Sequence, residues 1–250
     1  MSDIAHIAAI GMLQVQERLQ AISVNAASAT LPGYRRQVAV ARDFAAVFAP
    51  PRAQAALDAA GHVALSASTH SMTRLVDLRP ASTTLTGRAL DVAIDADDLF
   101  FALTDGEQTW LTRSGAFQLD ESGVLVGERG LRVVGTAGDI HLPTTNVTIE
   151  SGGQILDDGL VVGALQLFGV TDRSAIEPSS GALLRAVDGI FAADPEMVRV
   201  RTGSLEASNT DVAREMIDVT ALARQYESLS RVLQGYDEAL GRAIQKLGEG

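Results

Sequence analysis

The sequence predicts an α+β protein: N- and C-terminal helices forming a coiled-coil-like α domain, with a central antiparallel β-rich domain. Three observations carry this. Apolar residues at both ends recur at helical spacing. The middle changes to strand-length apolar runs broken by Gly and Asp turns. No helical pattern of about 10–15 residues separates those runs, which argues against a parallel βαβ sheet. The expected partition is a discontinuous helical assembly domain over 1–33 and 205–250, an extended connector over 34–87 and a β-rich domain over 88–204.

Residues 3–28 contain no proline and a single glycine. Ile4, Ala8, Met12, Val15, Leu19 and Ile22 step by 4-4-3-4-3, which places them on one helical face. The helix is expected to end near Ser28, because Leu31-Pro32-Gly33 disfavours continuation. In the connector, the Ala-rich stretch from Ala53 to Ala60 reads as a short helix, and the Ser/Thr-rich stretch 64–74 as extended linker or edge strand.

Strand-length runs follow at Leu99–Leu103, Phe117–Leu119, Val124–Val126, Leu131–Val134, Val147–Ile149 and Leu165–Val170. Turn signals divide them: Asp105-Gly106, Asp120-Glu121-Ser122-Gly123, Gly152-Gly153, Asp157-Asp158-Gly159 and Asp188-Gly189. The pattern is that of a hairpin-rich antiparallel domain.

The C-terminal stripe is longer. Val212, Met216, Val219, Leu222, Tyr226, Leu229, Leu233, Tyr236, Leu240, Ile244 and Leu247 make ten steps in 35 residues, a mean of 3.5, which is the spacing of a coiled-coil seam. Ser208 or Asn209 can cap the start, Asp211 suits the positive end of the helix dipole, and Gly248 is a plausible stop. Gly235 and Gly241 each cost roughly 1 kcal/mol relative to alanine. Such a helix spans on the order of 55 Å, whereas a domain of about 120 residues has a radius of gyration near 14 Å. Two readings follow. Either the two helices form a hairpin packed on the β domain of the same chain, or the remainder of the stripe meets neighbouring subunits. Tyr226 and Tyr236 fit a core or an interface equally.

Composition excludes several function classes. The net charge is −11 and the pI about 4.7, which argues against nucleic acid and anionic membrane as partners. There is no cysteine, so thiolate catalysis, Cys-ligated metals and disulfides are excluded. No apolar run is long enough to span a bilayer, and Asp3 at the start does not read as a cleavable secretory signal. His6, His62, His70 and His141 show no metal-ligand spacing, and Thr69-His70-Ser71 is not by itself a triad. Asp91, Asp95, Asp97 and Asp98 form the densest acidic cluster but lack the EF-hand pattern, and Asp120-Glu121 reads as a solvated turn rather than a glycosidase pair. No enzyme activity, cofactor or metal is expected.

The segment from Gly203 to Asp211 (GSLEASNTD), followed by Glu215-Met216-Ile217, resembles the opening of the C-terminal helix in bacterial flagellar rod and hook axial proteins. Ser23 to Arg35 (SVNAASATLPGYR) is similar to the same family's N-terminal rod motif. Thr86 to Ile94 (TGRALDVAI), Phe100, Thr112 to Phe117 (TRSGAF) and Asp120 resemble its β-domain block, and Val147-Thr148-Ile149 and Val162 to Leu167 its second half. The chain carries Ala96 and Asp98 where the family has glycines around an acidic turn, and Val24-Asn25-Ala26-Ala27-Ser28 where it has an Asn-rich run.

The resemblance implies a structural subunit of the flagellar basal-body rod, proximal type ahead of distal type, that assembles helically in the periplasm and transmits torque from motor to hook. It implies export by the flagellar type III apparatus, and other copies of itself and other rod proteins as partners. All seventeen stripe residues, from Ile4 to Leu247, are the expected assembly contacts. The alternatives are a distal-rod subunit or rod–hook junction protein of the same family and, behind these, a carbohydrate-binding β domain or an unrelated scaffold with helical arms.

Overall fold

The run Leu99–Thr104 reads LFFALT, apolar without alternation, and the fold shows why. Successive side chains of a strand point to opposite faces. Phe101 and Leu103 enter one core and Phe100 and Ala102 another. Both sides of this strand are covered, so no position along most of its length is polar. The computed structural model describes residues 2–42, 71–144, 147–172, 176–186 and 189–248.

The largest sheet is built around that strand. Leu99–Thr104 pairs with Thr109–Thr112, Arg132–Gly135 and Leu167–Val170, all antiparallel. Leu183–Ala186 and Ile176–Pro178 extend one side, Leu125–Val126 and Gln118–Leu119 the other, and Ile190–Ala192 lies outside Leu167–Val170. A second sheet holds Thr148–Ile149, Gln154–Asp157 and Leu160–Ala164. Two short ribbons pair Val200–Thr202 with Val92–Ile94 and Ser204–Glu206 with Thr83–Leu85. Phe101 and Phe117 meet edge to face in the main core, ring centres 4.9 Å apart.

The expected turns carry these strands. Gly106, Gly123, Gly153, Gly159 and Gly189 all adopt positive φ, and Asp158 joins Gly159 in the left-handed pair that a two-residue hairpin needs. Ala96 and Asp98 do not: Arg129 and Asp158 are the non-glycine residues with positive φ among those described. The acidic turn is therefore built without the left-handed geometry that glycine would supply.

The chain divides into two units. One comprises Val24–Gln37 and Leu75–Val212 and contains the sheets above. The other comprises Met1–Ser23, Val38–Arg74 and Ala213–Gly250. Within the connector, Gln37–Arg42 and Ser71–Val76 pair as a two-stranded sheet. The expected short helix at Ala53–Ala60 lies outside the described residues.

Two α-helices are present among the described residues, Ser2–Ala27 and Val212–Gly248, and the rest of the ordered elements are strands and short 3-10 turns. The fold is thus β-rich with terminal helices, and the expected coiled coil is not found. The helices share one short apolar cluster, in which Val15, Ile22 and Leu222 are buried and Leu19 and Leu229 pack against them. Val212, Met216, Val219, Tyr226 and Leu240, all positions of the expected seam, stay exposed. For Tyr226, Val219 and Met216 the reason is angular; Leu240 lies at the azimuth of Leu222, so angle does not explain its exposure. At 3.6 residues per turn, Tyr226, Val219 and Met216 lie about 40°, 60° and 120° around the helix from Leu222. A mean step of 3.5 records the repeat but not the width of the stripe, and a stripe this wide exceeds what one partner helix covers.

Candidate functional site

The expected assembly residues fall into three groups. Ala8, Val15, Ile22 and Leu222 are buried, and Met12, Leu19, Leu229, Leu233 and Tyr236 are half-buried. Val212, Met216, Val219, Tyr226 and Leu240 face solvent, with Met216 66% exposed. The side chains of Ile4, Ile244 and Leu247 lie outside the described ones. The structure also shows contacts that the stripe did not include. Gly11 lets Leu229 approach: a Cβ at Gly11 would stand 3.0 Å from Leu229 Cδ1. Ile7, Leu13, Ile217 and Val232 add exposed apolar surface off the stripe. The signal for Gly11 was present, since a glycine inside a helix is costly unless something comes close.

A second feature lies where both ends of the chain join the β-rich unit. Glu206 is buried, and its two carboxylate oxygens accept from two buried arginines, Arg35 Nη2 at 2.7 Å and Arg113 Nε at 2.7 Å. Glu206 Oε1 also accepts from the backbone N–H of Ala81 at 3.0 Å. Arg113 further donates to the carbonyls of Ala96, Leu99 and Ile94. Burial pushes the Glu206 carboxyl up, but the guanidiniums of Arg113 and Arg35 outweigh it and hold the group below its ordinary value. Burial lowers Arg113 from its ordinary value against the pull of Glu206.

Two asparagines complete this junction. Asn25, fully buried at the end of the first helix, donates to the carbonyl of Gln37 and accepts from Tyr34 Oη and Gln37 N. Asn209 accepts from Arg36 N at 2.7 Å and donates to the carbonyls of Asp77 and Arg79. Gly33, at φ +68°, donates to Glu206 O at 2.7 Å, and a Cβ there would stand 2.1 Å from Ser114 N. Residues 33–37, the exit strand Ser204–Glu206 with Asn209 after it, and the segment 77–81 are thereby locked to one another. These residues sit in the motifs GYR, TRSGAF and GSLEASN, but spacing assigned them no role. Glu206 lies 171 residues from Arg35 and 93 from Arg113, so only the fold unites them.

The acidic cluster does not converge. Asp91 is buried beside Arg88, and Asp95 pairs with Arg201. Among the described residues no group of three or more His, Asp or Glu side chains is placed to hold a metal. His62 and His70 lie outside the described residues. No described helix is long and apolar enough to cross a membrane.

Comparison with known proteins agrees with the motifs. The domain family described as the C-terminal domain of flagellar basal body rod FlgEFG proteins matches residues 201–246. The D1 domain of flagellar hook protein FlgE/F/G matches residues 93–157. The chain is 31% identical to the flagellar basal-body rod protein FlgF of Escherichia coli (strain K12), over 98% of each chain. It is 31% identical to FlgF of Salmonella typhimurium (strain LT2), also over 98% of each. To the rod protein FlgG of Bacillus subtilis (strain 168) it is 26% identical over 94% of this chain and 95% of the relative. The first of the two matched domains falls on the exit strand with Glu206 and on the exposed helix, the second on the central sheet, and the FlgF likeness runs end to end: the chain belongs to the flagellar basal-body rod protein family, as a structural subunit of the rod.

Proposed function

We propose that the exposed apolar face of the C-terminal helix is the contact through which this rod subunit packs on helices of neighbouring subunits, copies of itself and other rod proteins. The observation that carries the proposal is the run Val212, Met216, Val219 and Tyr226, exposed along one flank of a helix whose adjacent face is buried by Leu222 and Leu229. An apolar side chain left in water forgoes roughly 1.5–3 kcal/mol of burial, so a contiguous run of them marks an interaction surface. Repeated head-to-tail, such a contact generates a helical assembly. Twisting one subunit then loads the next, which is how torque passes from motor to hook. The Glu206 junction suits this role, because it fastens both chain ends of the β-rich unit with charged, buried hydrogen bonds rather than a flexible hinge. The reading further places the subunit in the proximal part of a periplasmic rod, delivered by the flagellar type III export apparatus.

The test is Met216→Asp combined with Val219→Asp. Both side chains are exposed, so the purified chain is expected to melt within about 0.5 kcal/mol of the parent. In cells the variant is expected to be missing from basal bodies and the cells non-motile. Motile cells with the variant built into normal rods would contradict the proposal.

A further inference from the structure

The β-rich unit carries an apolar groove of about 390 Å³ that the helical contacts do not use. Its floor includes Phe100 and Ile176, its wall Phe191 and Met197, and its mouth Asp97 and Asp98. Phe191 and Met197 are 51% and 63% exposed. Phe191 belongs to Ile190–Ala192, which pairs on one side with Leu167–Val170 and on the other has no strand among the described residues. Its ring lies over Gly169, where a Cβ would stand 2.4 Å from Phe191 Cζ. A free strand edge beside an apolar groove with an acidic mouth is a site for strand addition by an extended segment that brings an apolar side chain and a positive charge.

We infer that the occupant is the edge strand Thr83–Leu85 of a second copy of this chain, with Leu85 entering the groove and Arg88 approaching the acidic mouth. This inference rests on the reading of the chain as a subunit that packs on its own copies. Charge selects the strand. Most other described strands with an open edge carry acids in or beside them, such as Glu177 in Ile176–Pro178, Asp157 and Asp158 before Leu160–Ala164, and Asp120 and Glu121 after Gln118–Leu119; Val200–Thr202 is free of acids, but its Val200 N–H is already given to Ser151 O at 2.9 Å. Residues 80–88 read PASTTLTGR, with no acid and one arginine. Among the described strands Thr83–Leu85 pairs only with Ser204–Glu206; all three of its residues are exposed, and Leu85 is 81% exposed. The Arg88 side chain is 61% exposed. Groove and strand are different surfaces of the same unit, so the contact is heterologous and propagates from copy to copy instead of closing as a dimer.

The chain has no cysteine, so introduced pairs report on this contact alone. Leu85→Cys and Met197→Cys replace exposed side chains and leave the core intact. In basal bodies built with the double variant, mild oxidation is expected to give a ladder of disulfide-linked multimers of this chain, at least ten-fold above either single variant. Purified full-length Leu85→Cys mixed with purified full-length Met197→Cys is expected to give mixed dimers and nothing larger. Incorporation into basal bodies without a ladder overturns the contact and leaves the rod reading standing. A ladder or dimer of equal yield from Leu85→Cys alone also overturns it, since that reports a different, symmetric contact. A parent chain absent from basal bodies would overturn the rod reading itself, and the contact with it.

Discussion

The two units of this chain treat their apolar residues in opposite ways. In the β-rich unit Phe101, Leu103, Leu111 and Leu125 are fully buried, and the central strand is covered on both faces. In the helical unit the core the two helices share is, among the described residues, Val15, Ile22 and Leu222 with Leu19 and Leu229 against them, and a comparable set of large apolar side chains on the C-terminal helix stands in water. One unit is closed by its own chain. The other, on the proposed function, is half of an interface. On that proposal the difference divides the labour of a rod subunit: a body closed on itself, and a helical surface that acquires its partners on assembly.

The largest expected effect falls on the closed unit. Glu206→Gln leaves Arg35 and Arg113 buried together without their shared carboxylate. Breaking a buried ion pair from one side costs about 3–5 kcal/mol, so denaturant unfolding followed by Trp110, in the central sheet, is expected to shift by that amount. The same carboxylate predicts an acid limit. Its folded pKa is depressed, so its stabilisation is complete above the unfolded carboxylate value of about 4.3. It is lost as pH falls from there through the folded value. The parent is expected to lose stability over that window, and Glu206→Gln to lack this component of the loss. If the variant unfolds at the parent's denaturant concentration, the junction is not what holds the chain ends.

The smallest effect falls on the open unit. A Cβ at Gly235 meets nothing within 4 Å, so Gly235→Ala is expected to stabilise the C-terminal helix by about 1 kcal/mol. Helicity by circular dichroism in the dilute chain checks this, and the transition of the β-rich unit is expected to stay where it is. A loss of helicity would mean that Gly235 already packs closely within the single chain.

What the sequence made legible follows the range of the interactions. Turns such as Asp158-Gly159 are local, and the hairpins they close are where the glycines place them. The stripe from Val15 to Ile22 and from Leu222 to Leu229 is periodic, and its inward members do pack. The same period implied a coiled coil because it counts repeats and is blind to azimuth, which is where Met216 and Tyr226 depart from Leu222. Thr83–Leu85 has no apolar alternation and becomes a strand only through Ser204–Glu206, more than a hundred residues away. The charged junction was invisible for the same reason: an arginine or glutamate reads as surface until the fold buries it beside its opposite.

Amide hydrogen exchange across both units tests the central claim most directly. In the dilute full-length chain, Leu99–Thr104 is expected to exchange only by global unfolding. The Val212–Tyr226 segment is expected to exchange orders of magnitude faster, and to gain protection comparable to the strand once the chain is in isolated basal bodies. Protection of that segment already equal to Leu99–Thr104 in the dilute chain would show a helical unit complete in itself, and would contradict the account.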